Sequence, residues 1–166
     1  MIPVIFALAV AAQGPDSVRQ LQYERGLNGA TDALDRLRGV TAGFRTDLPS
    51  ASPELVLQRA ERVHSSCRDV SVALNGVDSV LAEGVYASHA QREQNELKRG
   101  GVELRRVLAR CEREWNVPTP RTITAADSLR AWGPYRTAQL DVALQRYLAL
   151  VRGFMKKAGL RKPAVS

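Results

Sequence analysis

The sequence is poor in the residues from which most catalytic and metal sites are built. It contains two cysteines and two histidines, and aromatic residues make up only 5% of its 166 positions. It has no G-x-S-x-G motif, no phosphate-cradling glycine loop and no H-E-x-x-H motif. The sequence therefore nominates no active site, and we expect a non-enzymatic binding or structural protein.

Patterns typical of β-strands and of transmembrane segments are also missing. No run alternates polar and apolar residues, and no hairpin dipeptide lies between β-branched stretches. No apolar run approaches the roughly 20 residues that a membrane-spanning helix needs. The composition, 45% hydrophobic and 25% charged, and the length are those of one globular domain.

Four long segments carry apolar residues at alternate spacings of three and four, which is typical of amphipathic helices. Connections that contain proline or resemble turns separate these segments. The sequence therefore predicts an all-α fold, an antiparallel four-helix bundle, in a single domain that spans residues 13–166. The predicted helices cover about residues 16–47, 53–85, 88–115 and 134–158.

The starts of two helices carry recognisable signals. Ser52 is a predicted N-cap, and Pro53 occupies the first helical position, where its missing N–H does no harm. A short helix is predicted to end at Trp132, because Gly133 and Pro134 follow it. We expect Pro134 to begin the last long helix.

The two cysteines fall on the predicted core faces of the second and third helices. A turn is expected within residues 83–89, and the midpoint between positions 67 and 111 is 89. Because both helices rise by about 1.5 Å per residue, Cys67 and Cys111 should lie side by side. The sequence predicts a disulfide between them, and two buried free thiols are the alternative.

Metal sites are less well supported by the spacing of the ligands. Glu61, His64 and Cys67 lie at intervals of three residues, and the first two form a Glu-x-x-His motif. A di-iron bundle site needs a second such motif, but the residue three positions before His89 is Tyr86 and not a glutamate. A zinc site built from His64 and the two cysteines would lack a fourth ligand. We predict no metal and no cofactor. The alternative is an enzyme, or a carrier of a metal or haem, with its site in the bundle centre.

Positive charge is concentrated near the C-terminus. The net charge is +7, and residues 134–166 contain seven basic side chains and one acidic residue, Asp141. This basic last helix and tail predict a contact with an anionic envelope component, although a solvated surface gives the same pattern, and nucleic acid is a weaker candidate. The predicted binding residues are Arg146, Arg152, Lys156, Lys157, Arg161 and Lys162.

A second candidate surface is the stretch RAWGPYR, residues 130–136. Aromatic and arginine side chains at an irregular junction are typical of protein interfaces. The predicted interface residues are Arg130, Trp132, Tyr135 and Arg136. The competing interpretation is that Trp132 and Trp115 close one end of the bundle core.

The N-terminus resembles a signal peptide. Residues 4–12 are apolar and end in small residues, which predicts a signal peptide over residues 1–12 and an exported protein, periplasmic or extracellular. The segment is short and no Lys or Arg precedes it, which a start codon placed too far downstream would explain. Together these observations predict an exported helical-bundle protein of the cell envelope.

Overall fold

The structure is a computed structural model that describes residues 15–46, 48–117 and 122–161. The all-α prediction is confirmed, since no strand occurs in these residues. The predicted signal peptide, residues 1–12, lies outside the described residues. The elements are α1 (Pro15–Arg45), α2 (Pro53–Ala82), a single 3₁₀ turn (Ser88–Ala90), α3 (Gln91–Glu114) and α4 (Ile123–Ala158).

The helices form an antiparallel bundle in which each helix packs against the next and α4 returns to α1. Trp115, just after α3, packs against Trp132 in the first third of α4, with ring centroids 5.0 Å apart. Phe154, near the end of α4, lies 6.2 Å from Tyr23 in the first third of α1. These contacts define a tryptophan end and a tyrosine end of the bundle.

The start of α2 and the end of α4 follow local capping rules. The Ser52 hydroxyl accepts a hydrogen bond from the Leu55 amide at 3.3 Å, with Pro53 at the first helical position, so the predicted start of α2 is confirmed. The last turn of α4 is closed by Gly159, whose φ of +69° lies in the left-handed region. The Leu160 amide then donates to the carbonyl of Met155 at 2.9 Å, which completes a Schellman motif.

The predicted break at Gly133 and Pro134 is wrong, because α4 continues through both residues. The Thr137 hydroxyl lies 3.0 Å from the carbonyl oxygen of Gly133 and 2.9 Å from that of Pro134. The absence of a side chain at Gly133 lets Phe44 and Trp115 pack directly against the α4 backbone. Aromatic packing at this point thus offsets the roughly 3 kcal/mol that an interior proline costs a helix.

A polar residue on the apolar face of α3 holds the connection between α2 and α3. Gln94 is only 1% exposed. Its Oε1 accepts a hydrogen bond from the Tyr86 amide at 2.9 Å, and its Nε2 donates to the carbonyl of Gly84 at 2.6 Å. The Tyr23 hydroxyl reaches the same carbonyl at 3.3 Å. Because both ends of the amide have partners, burying Gln94 fixes the loop.

The predicted disulfide is confirmed. Cys67 on α2 and Cys111 on α3 are bonded, and their Cα atoms lie 6.3 Å apart. Both residues are buried on the apolar faces that the sequence indicated. The bridge therefore joins α2 to α3 about one helical turn before Trp115, at the tryptophan end.

We expect Cys67→Ser to lower the free energy of unfolding by about 2–5 kcal/mol, through loss of the bridge and burial of a hydroxyl. Chemical denaturation under non-reducing conditions measures this change, and the reduced parent is the matched control. A variant as stable as the oxidised parent would show that the bridge contributes nothing.

We expect Gly133→Ala to destabilise the protein by about 1–3 kcal/mol, although alanine is the better helix former. An added Cβ would lie 2.6 Å from a ring carbon of Phe44. Gly153→Ala is the control, because no atom lies within 4 Å of its Cβ position, and it should stabilise α4 slightly. Denaturation midpoints compare the two variants; equal stabilisation by both would contradict the packing argument.

Candidate functional site

Four of the predicted binding residues lie on the outer face of α4. Arg146, Arg152, Lys156 and Lys157 are all exposed, and we call them the basic face. Within the part of the chain that the structure describes, none of them forms an ion pair with a carboxylate. The basic face belongs to the half of α4 that approaches the tyrosine end.

The one acidic residue among residues 134–166 does not neutralise the basic face. Asp141 is directed toward α1, and its side chain is only 17% exposed. Its two carboxylate oxygens accept hydrogen bonds at 2.5 Å from the Arg45 guanidinium and from the buried Thr41 hydroxyl. This carboxylate is thus paired across the α1–α4 interface, and residues 142–161, which contain no Asp or Glu, contribute only positive charge.

The chain beyond α4 is attached to α1. The Arg161 amide donates to the carboxylate of Glu24 at 2.8 Å, and the Asn28 side-chain amide donates to the Arg161 carbonyl at 3.3 Å. The Arg161 residue itself is exposed, so its charge extends the basic face. Lys162, the other predicted tail residue, lies outside the described residues.

Helix α3 carries many cations but presents a surface of mixed sign. Arg92 pairs with Glu96 on the same helix at 3.0 Å, and Arg105 contacts Asp78 on α2. Further cations alternate with carboxylates along the helix, so an anionic partner would meet both signs of charge. The exposed cations of α3 without a described ion pair include Lys98, Arg99, Arg106 and Arg113.

The second predicted surface is divided by the structure. Trp132 is half-buried against Trp115, which in turn makes an edge-to-face contact with Phe44 at 4.8 Å. Tyr135 is 64% exposed and contacts Gln139, whose amide donates to the phenol oxygen at 2.7 Å. Trp132 therefore serves the core at the tryptophan end, while an interface role for Tyr135 stays a prediction.

The two arginines of this stretch have partners within the chain. Arg130 donates to the carbonyl of Ala51 at 2.5 Å and to the carboxylate of Asp127 at 2.6 Å. Arg136 lies 3.5 Å from the carboxylate of Glu114. Both guanidinium groups are engaged in contacts between or within helices, and an interface role for the two arginines stays a prediction.

The disulfide removes the thiolates that a zinc site would have used. Cys67 and Cys111 are both oxidised. His64 is half-buried, and its Nδ1 has no hydrogen-bond partner. Among residues 15–46, 48–117 and 122–161, no group of three or more His, Cys, Asp or Glu side chains could hold a metal ion.

Burial raises the pKa values of two tyrosines. Burial raises the pKa of the Tyr147 phenol well above its ordinary value, and the Asp78 carboxylate adds to the effect. Burial also raises the pKa of Tyr23, against the opposing charge of Arg19. Both phenols therefore stay protonated in neutral solution.

A further cationic site was not foreseen from the sequence. A groove of about 560 Å³ between α1 and α2 is lined by three arginines, one from α1 and two from α2. The α1 arginine is more than 20 positions from the other two along the chain, and no short motif links them. We call this site the arginine groove, and its lining includes Arg36, Gly39, Gly43, Arg59, Arg62 and Asp69.

The structure thus offers two cationic sites, the basic face of α4 and the arginine groove between α1 and α2. No described helix has an apolar stretch long enough to cross a membrane. Comparison of this chain with models of known protein families, with curated proteins and with solved structures finds no match.

Proposed function

We propose that the protein is an exported, non-enzymatic binding protein that contacts an anionic component of the cell envelope through the basic face of α4. The observation that carries the proposal is the single sign of this face. Arg146, Arg152, Lys156 and Lys157 are exposed, and no carboxylate of α4 lies among them, because Asp141 is paired with α1. An anionic surface or polymer would therefore meet only cations on α4, although Glu103 of α3 lies beside Arg146.

The geometry of the basic face suits a broad partner better than a small ligand. From Arg146 to Lys157 the helix rises by about 16 Å, at 1.5 Å per residue. Each Lys or Arg near an anionic lipid surface contributes about 1 kcal/mol, and such contacts are screened over about 8 Å at physiological salt. The proposal therefore describes reversible, salt-sensitive binding to an extended array of negative charges.

The bundle acts as a rigid support for this face. The Asp141 contacts with Thr41 and Arg45 fix the rotation of α4 about its own axis. The hydrogen bonds from Asn28 and to Glu24 fix its C-terminal end. Because the helix is already ordered, binding loses little conformational entropy beyond that of the cationic side chains.

Export is part of the same proposal. The disulfide supports it, since such bridges persist in oxidising compartments and are rare in the cytosol. We expect protein recovered from the envelope fraction of a bacterial host to lack its first 11 or 12 residues by intact-mass measurement. Full-length protein confined to the cytosol would contradict export.

The anionic contact is tested by changing Arg146, Arg152, Lys156 and Lys157 together to Gln. The helical circular-dichroism signal should stay intact, because none of the four residues is buried. Co-sedimentation with vesicles of anionic phospholipid, and retention on an acidic polysaccharide resin, should be lost at low salt. The parent should lose both as the salt concentration rises.

The matched control changes Lys98, Arg99, Arg106 and Arg113 on α3 to Gln, which removes the same four charges from a helix of mixed sign. This variant should bind nearly as well as the parent. Equal loss in both variants would show that net charge, not the basic face, determines binding. A basic-face variant that binds as well as the parent would refute the proposal.

A further inference from the structure

The arginine groove has a different shape and position from the basic face. It lies between the second half of α1 and the first half of α2, and Phe44 in its wall connects it to the tryptophan end. No residue of α4 lines it. The groove has a volume of about 560 Å³, which is enough to hold a small molecule, and it is open to solvent.

The groove is cationic, and its cations are all arginines. Arg36 and Arg62 are exposed, and neither guanidinium forms a hydrogen bond or ion pair with any residue that the structure describes. Arg59 is half-buried and donates from one guanidinium nitrogen to the carbonyl of Thr46. The groove also contains one carboxylate, Asp69, which pairs with none of the three in the described ion pairs.

Two glycines leave the α1 wall of the groove open. Gly39 and Gly43 are exposed, and no atom lies within 4 Å of the position of a Cβ at either residue. Packing within the bundle therefore does not require them, in contrast to Gly133. A glycine inside a helix lowers its stability by about 1 kcal/mol relative to alanine. Two such residues four positions apart at one groove therefore indicate that open space is needed there.

We propose that the arginine groove binds a phosphate-bearing small molecule, with its phosphate oxygens held by the guanidinium groups of Arg36, Arg59 and Arg62. A guanidinium group can donate two parallel hydrogen bonds to two phosphate oxygens, whereas a lysine ammonium group does not have this geometry. The exposed α1 backbone at Gly39 and Gly43 gives the rest of the ligand room. This site is independent of the basic face and needs no anionic surface.

The experiment titrates inorganic pyrophosphate into the parent protein by isothermal calorimetry at low salt. One saturable site is expected. The triple variant Arg36→Gln, Arg59→Gln, Arg62→Gln should bind at least about tenfold more weakly, because charge-assisted pairs are lost. The triple Lys variant keeps the charge and should still bind several-fold more weakly, since the bidentate geometry is lost.

A second variant tests the groove without removing charge. Gly43→Leu should fill the open wall and weaken pyrophosphate binding, with all three arginines in place. Gly29→Leu is the matched control, since Gly29 is equally open, lies on the same helix and does not line the groove. It should bind as tightly as the parent, and circular dichroism should show both variants folded.

The basic-face Gln variant tests whether the two sites are independent. It also tests whether the phosphate bound in the groove belongs to a soluble molecule or to a lipid headgroup. This variant should bind pyrophosphate like the parent, so loss of vesicle binding and loss of groove binding are distinguishable. Residual binding to phosphatidic acid vesicles in this background that disappears when Arg36, Arg59 and Arg62 are also changed to Gln, without binding to pyrophosphate, would identify a lipid headgroup as the source. The proposal is overturned if the parent binds neither probe, or if the triple Gln and Gly43→Leu variants bind as tightly as the parent.

Discussion

The architecture depends on the packing of aromatic rings around Trp115 at the tryptophan end. Phe44 from α1 meets Trp115 edge-on, Trp132 from α4 also packs against Trp115, and Gly133 gives the Phe44 ring room against the α4 backbone. About one turn away, the disulfide ties α2 to α3. All four helices are therefore joined within a short distance, and α4 continues through Pro134, where Phe44 and Trp115 pack against its backbone.

The continuity of α4 determines which charges face outward. With the helix unbroken from Ile123 to Ala158, Asp141 lies opposite Thr41 and Arg45, and its charge is used inside the bundle. The cations that follow it are left on the outer side without a carboxylate among them. The basic face thus carries one sign of charge because of how α4 packs on α1. The net charge alone would not have predicted its position.

The fold was largely predictable because the apolar residues that form its core recur at helical period along the chain. That spacing identified the helices, and equal rise along antiparallel helices placed Cys67 beside Cys111. The break at Pro134 was predicted wrongly because local propensity opposes a helix there, while the compensating contacts come from Phe44 and Trp115, distant in sequence. The arginine groove could not be predicted because it exists only after α1 and α2 pack.

Both proposed sites lie on the outside of a bundle whose interior carries packing residues, and anion binding should leave that interior unchanged. Backbone amide chemical shifts in solution, recorded as bicelles with an anionic phospholipid are added, test this most directly. The account predicts shifts concentrated at residues 146–161, with Trp115, Trp132 and the residues around the disulfide unaffected. Shifts centred on Trp132 and Tyr135, or spread through the bundle core, would contradict it.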